Sequence, residues 1–235
     1  MNIVVLMAGA GSRMKTLENK TPKPLVPING TPMINHVIKN LNLEGNYIYI
    51  VQKSHRIQYD LDTLLNDITP NCTICEVDGI TEGQASSALI AKQYINNDEK
   101  LLTINCDQIL EWDSNSFLKN ISNNEVDGCI PVIKSNNPSM SFAKLNSDGF
   151  VEKTAEKQVI SEWGTVGYYY WKRGLDFVKY AEQMINSDIR VNNEFYICPI
   201  YNFAIHDGLK ITIEKVKKMW ALGTPEELDT YLKEL

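Results

Sequence analysis

The chain has 235 residues, is 43% hydrophobic and 22% charged, and carries a formal net charge of −6. These values describe a globular protein with one sizeable core and argue against a nucleic-acid partner, which needs a basic face. No apolar stretch approaches the roughly 20 residues that span a bilayer. The N-terminus also lacks the basic region and small-residue cleavage site of a secretion signal, so a cytoplasmic protein without membrane contact is expected.

The elements alternate. "NIVVLMA" is a continuous apolar run, the mark of a strand buried on both faces. "PMINHVIKNLNL" carries Met33, Ile34, Val37, Ile38 and Leu41 at helical spacing, and "NYIYIVQ" returns to strand. "IQYDLDTLLNDI" reads as helix, "CTICEV" as strand, "GQASSALIAKQYI" as helix and "KLLTINCD" as a buried strand. "DSNSFLKNI" is a helix with an Asp or Ser to cap it, and "DGCIPVIK" is the strand that follows. Four successive β-then-α steps predict an α/β fold: an open, mostly parallel sheet with helices on both faces. From residue 138 the rhythm changes to α+β. "FAKLNSDGFVEKT" reads as a hairpin and "GTVGYYYWK" as one strand. "LDFVKYAEQMI" and "NEFYICPIYNFAIHDG" read as helices, the second ending at Gly208. "KITIEKV" is a strand, and "TPEELDTYLKEL" a helix with Thr224 as N-cap, Pro225 first and Glu227 as the reciprocal cap.

No linker or repeat divides the chain, so 1–235 reads as one domain, with 1–137 and 138–235 as its two parts. The five cysteines suit reduced core thiols. Cys72 and Cys75 form a lone CxxC, but on a strand, which disfavours redox or zinc chemistry. His36, His55 and His206 have no metal-like spacing, and "YYYW" reads as strand rather than a base-stacking platform.

Ligands of such sheets bind beyond the carboxyl ends of the strands, which brings the loop after the first strand and the end of "LLTINCD" into one crevice. That loop, "MAGAGSRM", lacks the Gly-Lys-Ser/Thr of the ATPase loop. It also lacks the sixth-position glycine and distant acid of the dinucleotide fingerprint. Gly9 and Gly11 leave backbone N–H groups bare, and Arg13, Lys15, Lys20 and Lys23 follow within eleven residues of an otherwise acidic chain. Lys23 stands between Pro22 and Pro24, a semi-rigid extended stretch. Bare amides with Arg and Lys make a polyanion site, and a triphosphate fits it.

The motifs "LMAGAGSRM…TPKPLVPINGTPMI", "TEGQASSALIA", "LLTINCDQ", "TAEK", "GTVGYYY", "NEFYICPIYN" and "GTPEEL" occur in order along nearly the whole chain. In them the sequence resembles the sugar-phosphate nucleotidylyltransferases, relatives of glucose-1-phosphate thymidylyltransferase, and within them a subgroup of capsular-polysaccharide loci. The resemblance implies a Rossmann-like, doubly wound sheet of the nucleotidyltransferase type, with an α+β acceptor-binding portion. It implies a Mg²⁺-dependent reaction in which an NTP and a phosphomonoester yield an NDP-linked product and pyrophosphate. Ala8, Gly9, Ala10, Gly11 and Arg13 match the triphosphate loop, and Lys23 the lysine bridging the α-phosphate and acceptor phosphate. Gly83 and Gln84 match positions that read the base, Asp107 the Mg²⁺ carboxylate, and Lys157 a lysine gripping the acceptor phosphate. Gly167 and Glu194 match the acceptor pocket.

Each match has a plainer reading. Asp107 is also a strand-end turn former, Lys157 a solvated lysine, Glu194 a first-turn helix residue, and Gln84 a helix cap. A second metal carboxylate, present in many relatives, is replaced by Ala221, and Glu194 or Asp207 are substitutes within the chain. Two alternatives stand beside the sugar reading: a cytidylyltransferase acting on a small phosphorylated alcohol or phosphonate, and a non-catalytic nucleotide-sensing subunit. A glycosyltransferase is disfavoured because "CDQ" lacks the second acid of Asp-x-Asp. The sequence leaves the base (CTP, UTP, dTTP or GTP), the phosphorylated acceptor and any homo-oligomer open.

Overall fold

The computed structural model of the chain describes residues 1–14, 21–122 and 126–234. In order, the elements are β1 (Asn2–Leu6), β2 (Pro27–Ile28), β3 (Thr31–Pro32), α1 (Met33–Leu41), β4 (Asn46–Gln52), α2 (Lys53–Gln58), α3 (Leu61–Ile68) and β5 (Thr73–Val77). Next come α4 (Gln84–Leu89), α5 (Lys92–Ile95), β6 (Leu101–Asn105), β7 (Gln108–Glu111), α6 (Ser114–Ile121) and β8 (Gly128–Lys134). The remainder comprises β9 (Ser141–Leu145), β10 (Val151–Glu156), β11 (Trp163–Thr165), β12 (Tyr168–Trp171), α7 (Gly174–Asn186), α8 (Ile200–His206), β13 (Ile211–Lys215), β14 (Lys218–Ala221) and α9 (Pro225–Leu232).

Among the described residues, ten strands form one open sheet in the order β10-β9-β11-β8-β12-β6-β1-β4-β5, with β13 also paired to β8. β1 runs parallel to β4 and β6, β4 to β5, and β8 to β13. β12 runs against both β6 and β8, β11 against β8 and β9, and β10 against β9. The sheet is therefore mostly parallel in direction, with β10, β11 and β12 reversed. Alternation along β1 sends Ile3, Val5 and Met7 to one face and Val4, Leu6 and Ala8 to the other. The first face is covered by α1, α3, α6 and α9, the second by α4, α5, α7 and α8. Each large aliphatic or aromatic side chain so buried contributes about 1.5–3 kcal/mol, and Trp171 stacked on Tyr201 at 4.2 Å anchors the second face. This is the Rossmann-like, doubly wound α/β arrangement that the sequence predicts.

The boundaries differ where local chemistry breaks a run. The helix expected over 57–68 is two helices, parted at Asp60, which takes the left-handed conformation (φ 45°). The helix expected over 83–95 is likewise split, between Leu89 and Lys92. "GTVGYYYWK" turns a corner at Gly167 (φ 78°), which divides β11 from β12. The helix expected from 193 begins only at Ile200, after Pro199, whose ring removes a backbone donor and disfavours helix in the residue before it. The stretch from 194 to 199 is instead tied across the molecule: Phe195 N donates to Glu82 O at 2.8 Å, and Ala85 N donates to Phe195 O at 2.9 Å. Lys23 lies not in an extended stretch but in a 3-10 turn, Lys23–Leu25, closed by Leu25 N donating to Pro22 O. β7 and β14 pair as a small second sheet that the sequence reading did not anticipate, setting Ala221 opposite Gln108. The caps do follow the sequence. Asp113 accepts from Asn115 N at 2.9 Å, and Thr224 and Glu227 complete a capping box.

Candidate active site

The ends of β1 and β6 open onto a cleft of about 620 Å³. Ala8, Gly9, Ala10, Gly11, Arg13, Lys23, Gly83, Gln84, Asp107, Lys157, Gly167 and Glu194 all line it, although they span 187 positions from first to last. Lys15 and Lys20, the other members of the basic cluster, lie outside the described residues.

The loop after β1 is held from behind. Met7 N donates to Ile50 O at 2.9 Å, and Gln52 Nε2 donates to Ala8 O at 2.8 Å. The N–H groups of Gly9, Ala10 and Gly11 find no acceptor among the described residues. A Cβ on Gly9 would meet nothing within 4 Å, whereas one on Gly11 (φ 60°) would stand 3.2 Å from Lys23 Cβ. Gly9 therefore leaves its amide open to the cleft, and Gly11 lets the Lys23 turn close over the loop. Arg13 is exposed on the adjacent 3-10 turn, Ser12–Met14.

Lys23 reaches Asp107, Nζ to Oδ2 at 2.5 Å, with side chains only 19% and 10% exposed. Burial alone would lower the ammonium pKa, but the Asp107 carboxylate outweighs it and the net shift is upward. Asp107 stands two residues past Asn105, the last residue of β6.

Behind these charges runs a row of amides. Gln84 is the first residue of α4 and does not cap it; its Nε2 donates to Asn105 Oδ1 at 3.1 Å. A Cβ on Gly167 would fall 2.5 Å from Asn105 Nδ2, so only glycine leaves room for that side chain. Gly83 (φ 134°, ψ −177°) would likewise drive a Cβ to 2.5 Å from the Phe195 backbone. Its glycine lets the loop bearing Glu194 dock against it, and its backbone lines the cleft. Glu194 is not in a helix. It closes a tight turn with Val191 across Asn192 and Asn193, both at positive φ as a type I′ turn requires.

At the far end Lys157 (φ 52°) leaves β10 and donates to the Tyr196 hydroxyl, with its ammonium 4.5 Å from the ring centroid. Burial raises the Tyr196 phenol pKa, and the Glu194 carboxylate adds to the shift. Glu156 is half-buried and accepts from Ser141 Oγ; burial pushes its carboxyl up, against the hydrogen bond and Lys157, which pull it down. Asn105, Gln108, Glu156, Tyr196 and Glu227 line the cleft and were not picked out from sequence. The strand period two residues before Asp107 would have found Asn105, and the residue next to Lys157 in "TAEK" is Glu156. Glu227 is marked in sequence only as a helix cap, and no local signal marks Gln108 or Tyr196.

Asp107 has the hard carboxylate oxygens that Mg²⁺ prefers, and the ion is commonly held by one or two carboxylates plus substrate phosphates and waters. The Lys23 ammonium on Oδ2 shows that the position suits a cation. Asp207 cannot supply a second ligand here: it sits at the end of α8, bound to Lys179 at 2.9 Å and Tyr180 at 3.1 Å. Glu227 lines the cleft, but its Oε2 already accepts from Gly223 N and Thr224 N. Among the described residues no group of three or more His, Cys, Asp or Glu could hold a metal, so such an ion would rely on substrate oxygens. All five cysteines are free thiols.

The family model described as "Nucleotidyl transferase" matches residues 2–203. The chain belongs to the nucleotidyl transferase family. Among curated relatives of this nucleotidyl transferase, the bifunctional protein GlmU of Methanocaldococcus jannaschii is 34% identical over 119 residues, which are 51% of this chain and 28% of that protein. The low-salt glycan biosynthesis nucleotidyltransferase Agl11 of Haloferax volcanii is 22% identical over 235 residues, 97% of this chain and 64% of its own length. The chain thus spans only part of the length of the curated relatives it matches. A solved nucleoside-diphosphate-sugar pyrophosphorylase from Vibrio cholerae RC9 superposes with a TM-score of 0.82 at 23% identity, covering 98% of this chain and 99% of that one, which shows the shared fold. No described helix is long and apolar enough to cross a membrane.

Proposed function

We propose that this nucleotidyl transferase joins a nucleoside triphosphate to a sugar 1-phosphate with release of pyrophosphate, supplying an activated sugar for cell-surface or capsular polysaccharide. The observation that carries the reading is the convergence on one cleft of an open amide loop with Arg13 and Lys23, the Asp107 carboxylate, and a separate Lys157–Tyr196–Glu194 group. In the reaction an oxygen of the acceptor phosphate bonds to the α-phosphorus while the α-phosphorus–oxygen bond to the β-phosphate breaks, and pyrophosphate leaves with that electron pair. Both reactants are polyanions, so neutralisation and alignment supply most of the rate.

The loop amides and Arg13 would receive the triphosphate, Lys23 the α-phosphate and acceptor phosphate together, and Lys157 the acceptor phosphate. Among the described residues the cleft presents Arg13, Lys23 and Lys157 against Asp107, Glu156, Glu194 and Glu227. Its side chains alone do not balance two polyanions. Mg²⁺ bound by Asp107 and the substrate phosphates would add the missing positive charge. Gln84, held by Asn105, would face the base.

The chemistry at the far end suits a hydroxyl-rich acceptor. Glu156, Glu194, Ser141 and Tyr196 offer acceptors for sugar hydroxyls.

The test is pyrophosphate release with Mg²⁺ across UTP, CTP, dTTP and GTP, each paired with a panel of sugar 1-phosphates and of small alcohol phosphates such as choline phosphate. Turnover is expected with a sugar 1-phosphate. Turnover only with alcohol phosphates, or with no pairing at all, overturns the proposal.

A further inference from the structure

Lys23 and Asp107 carry two separate roles in the reaction proposed above, yet in the structure each satisfies the other at 2.5 Å. The contact joins residues 84 positions apart, and both side chains are largely withdrawn from water. A charge left unpaired in such a place is costly, so pairing keeps both groups charged and in readiness. Its burial also sets what can replace it. A divalent ion arriving alone would have to displace the ammonium from the carboxylate and leave that ammonium without its counter-charge. The chain offers the ion little in exchange. Ala221 brings no carboxylate, Asp207 is engaged elsewhere, and Glu227 Oε2 is spent on its capping box. A triphosphate changes this balance, because it gives the ammonium a new anion and the metal additional oxygens.

We propose that in the substrate-free protein Lys23 occupies the cation position on Asp107, so that a divalent metal is admitted to Asp107 only together with a nucleoside triphosphate. The inference rests on the nucleotidyl-transfer reading of the site. It adds an exchange of partners: Lys23 moves from carboxylate to phosphate as the metal moves onto the carboxylate. Metal and nucleotide then bind with positive coupling, and by linkage each strengthens the other by the same factor.

The test uses Mn²⁺ as the probe and needs no acceptor. Free Mn²⁺ is counted by electron paramagnetic resonance in titrations of the whole chain without nucleotide, comparing wild type, Lys23→Met and the Lys23→Met/Asp107→Asn double variant. Lys23→Met is expected to bind Mn²⁺ at least roughly tenfold more tightly than wild type, since it uncovers the carboxylate, and the double variant to lose that gain. Equal affinity in wild type and Lys23→Met, or a gain that survives Asp107→Asn, overturns the proposal. Should Lys23→Met not fold, wild type decides by paramagnetic broadening of the amide signals of residues 105–108. Broadening that requires added nucleoside triphosphate supports the exchange, and broadening by micromolar Mn²⁺ alone refutes it. A chain that releases pyrophosphate but fails the Mn²⁺ test loses only this inference, whereas one that never releases pyrophosphate loses the reaction itself.

Discussion

Two glycines of the cleft offer a sharp contrast, because one is required by the fold and the other leaves space for a ligand. Gly83 has φ 134° and ψ −177°, a region essentially reserved for glycine, and a Cβ there would approach Phe195 N and O to 2.5 Å. Gly83→Ala should cost about 1–3 kcal/mol for the backbone conformation and about 1–3 kcal/mol for overpacking. The clash falls on backbone already engaged with Glu82 O and Ala85 N, so no flexible side chain can yield to absorb it. A total of about 2–6 kcal/mol corresponds to a melting temperature lowered by roughly 4–24 °C in a chain of this size. Gly9→Ala adds a methyl group that meets nothing within 4 Å and should change stability by no more than about 0.5 kcal/mol. Triphosphate affinity should nonetheless fall about ten- to a hundredfold, the loss expected when a hydrogen bond to a charged group is blocked. Urea titration followed by tryptophan fluorescence measures the first quantity, and calorimetric titration with the preferred Mg²⁺–NTP the second. A Gly83→Ala variant with the wild-type midpoint, or a Gly9→Ala variant that binds nucleotide normally, would refute this division of roles.

Lys23→Ala should lower kcat on the order of 10² or more, as the loss of one preorganised charge donor does. Asp107→Asn should abolish turnover and also lower stability by about 1–3 kcal/mol, because it leaves the Lys23 ammonium without its counter-charge; a thermal melt and a pyrophosphate assay read the two effects. Thr224→Ala removes one half of the capping box on α9 and should cost about 1 kcal/mol in a urea titration. Glu156 gives a pH signature. Its folded-state pKa is raised, chiefly by burial, so its contribution favours the fold below the ordinary glutamate range and is lost as pH rises through the raised value. Urea midpoints of Glu156→Gln relative to wild type should therefore increase with pH across the window just above the usual glutamate range; a constant difference argues against a buried, proton-retaining carboxyl.

Periodicity and motif order made much of this protein legible. Continuous apolar runs such as "NIVVLMA" report a strand buried on both faces wherever they occur, and the stripe from Met33 to Leu41 reports its helix, because the pattern and the burial are both local. The cap at Thr224 is local for the same reason. The order of motifs brought out residues that the fold then gathers on one cleft. Contacts made at long range stayed hidden. Nothing within 193–199 announces that Phe195 will bond with Glu82 and Ala85 more than a hundred positions away, so a run with helical composition is held out of helix. Gly83 and Gly167 line the cleft, and what the sequence did not show is that each also makes room for a distant neighbour, Phe195 and Asn105. Lys23 and Asp107 were legible as two charges and not as a pair, since only the folded sheet brings their side chains together. Sequence by itself determined the order of strands and helices and which stripes of apolar residues face the core, but not where several of those elements begin and end. Tertiary structure alone decided which of the polar residues touch, because that depends on where the backbone carries them once the apolar faces are packed.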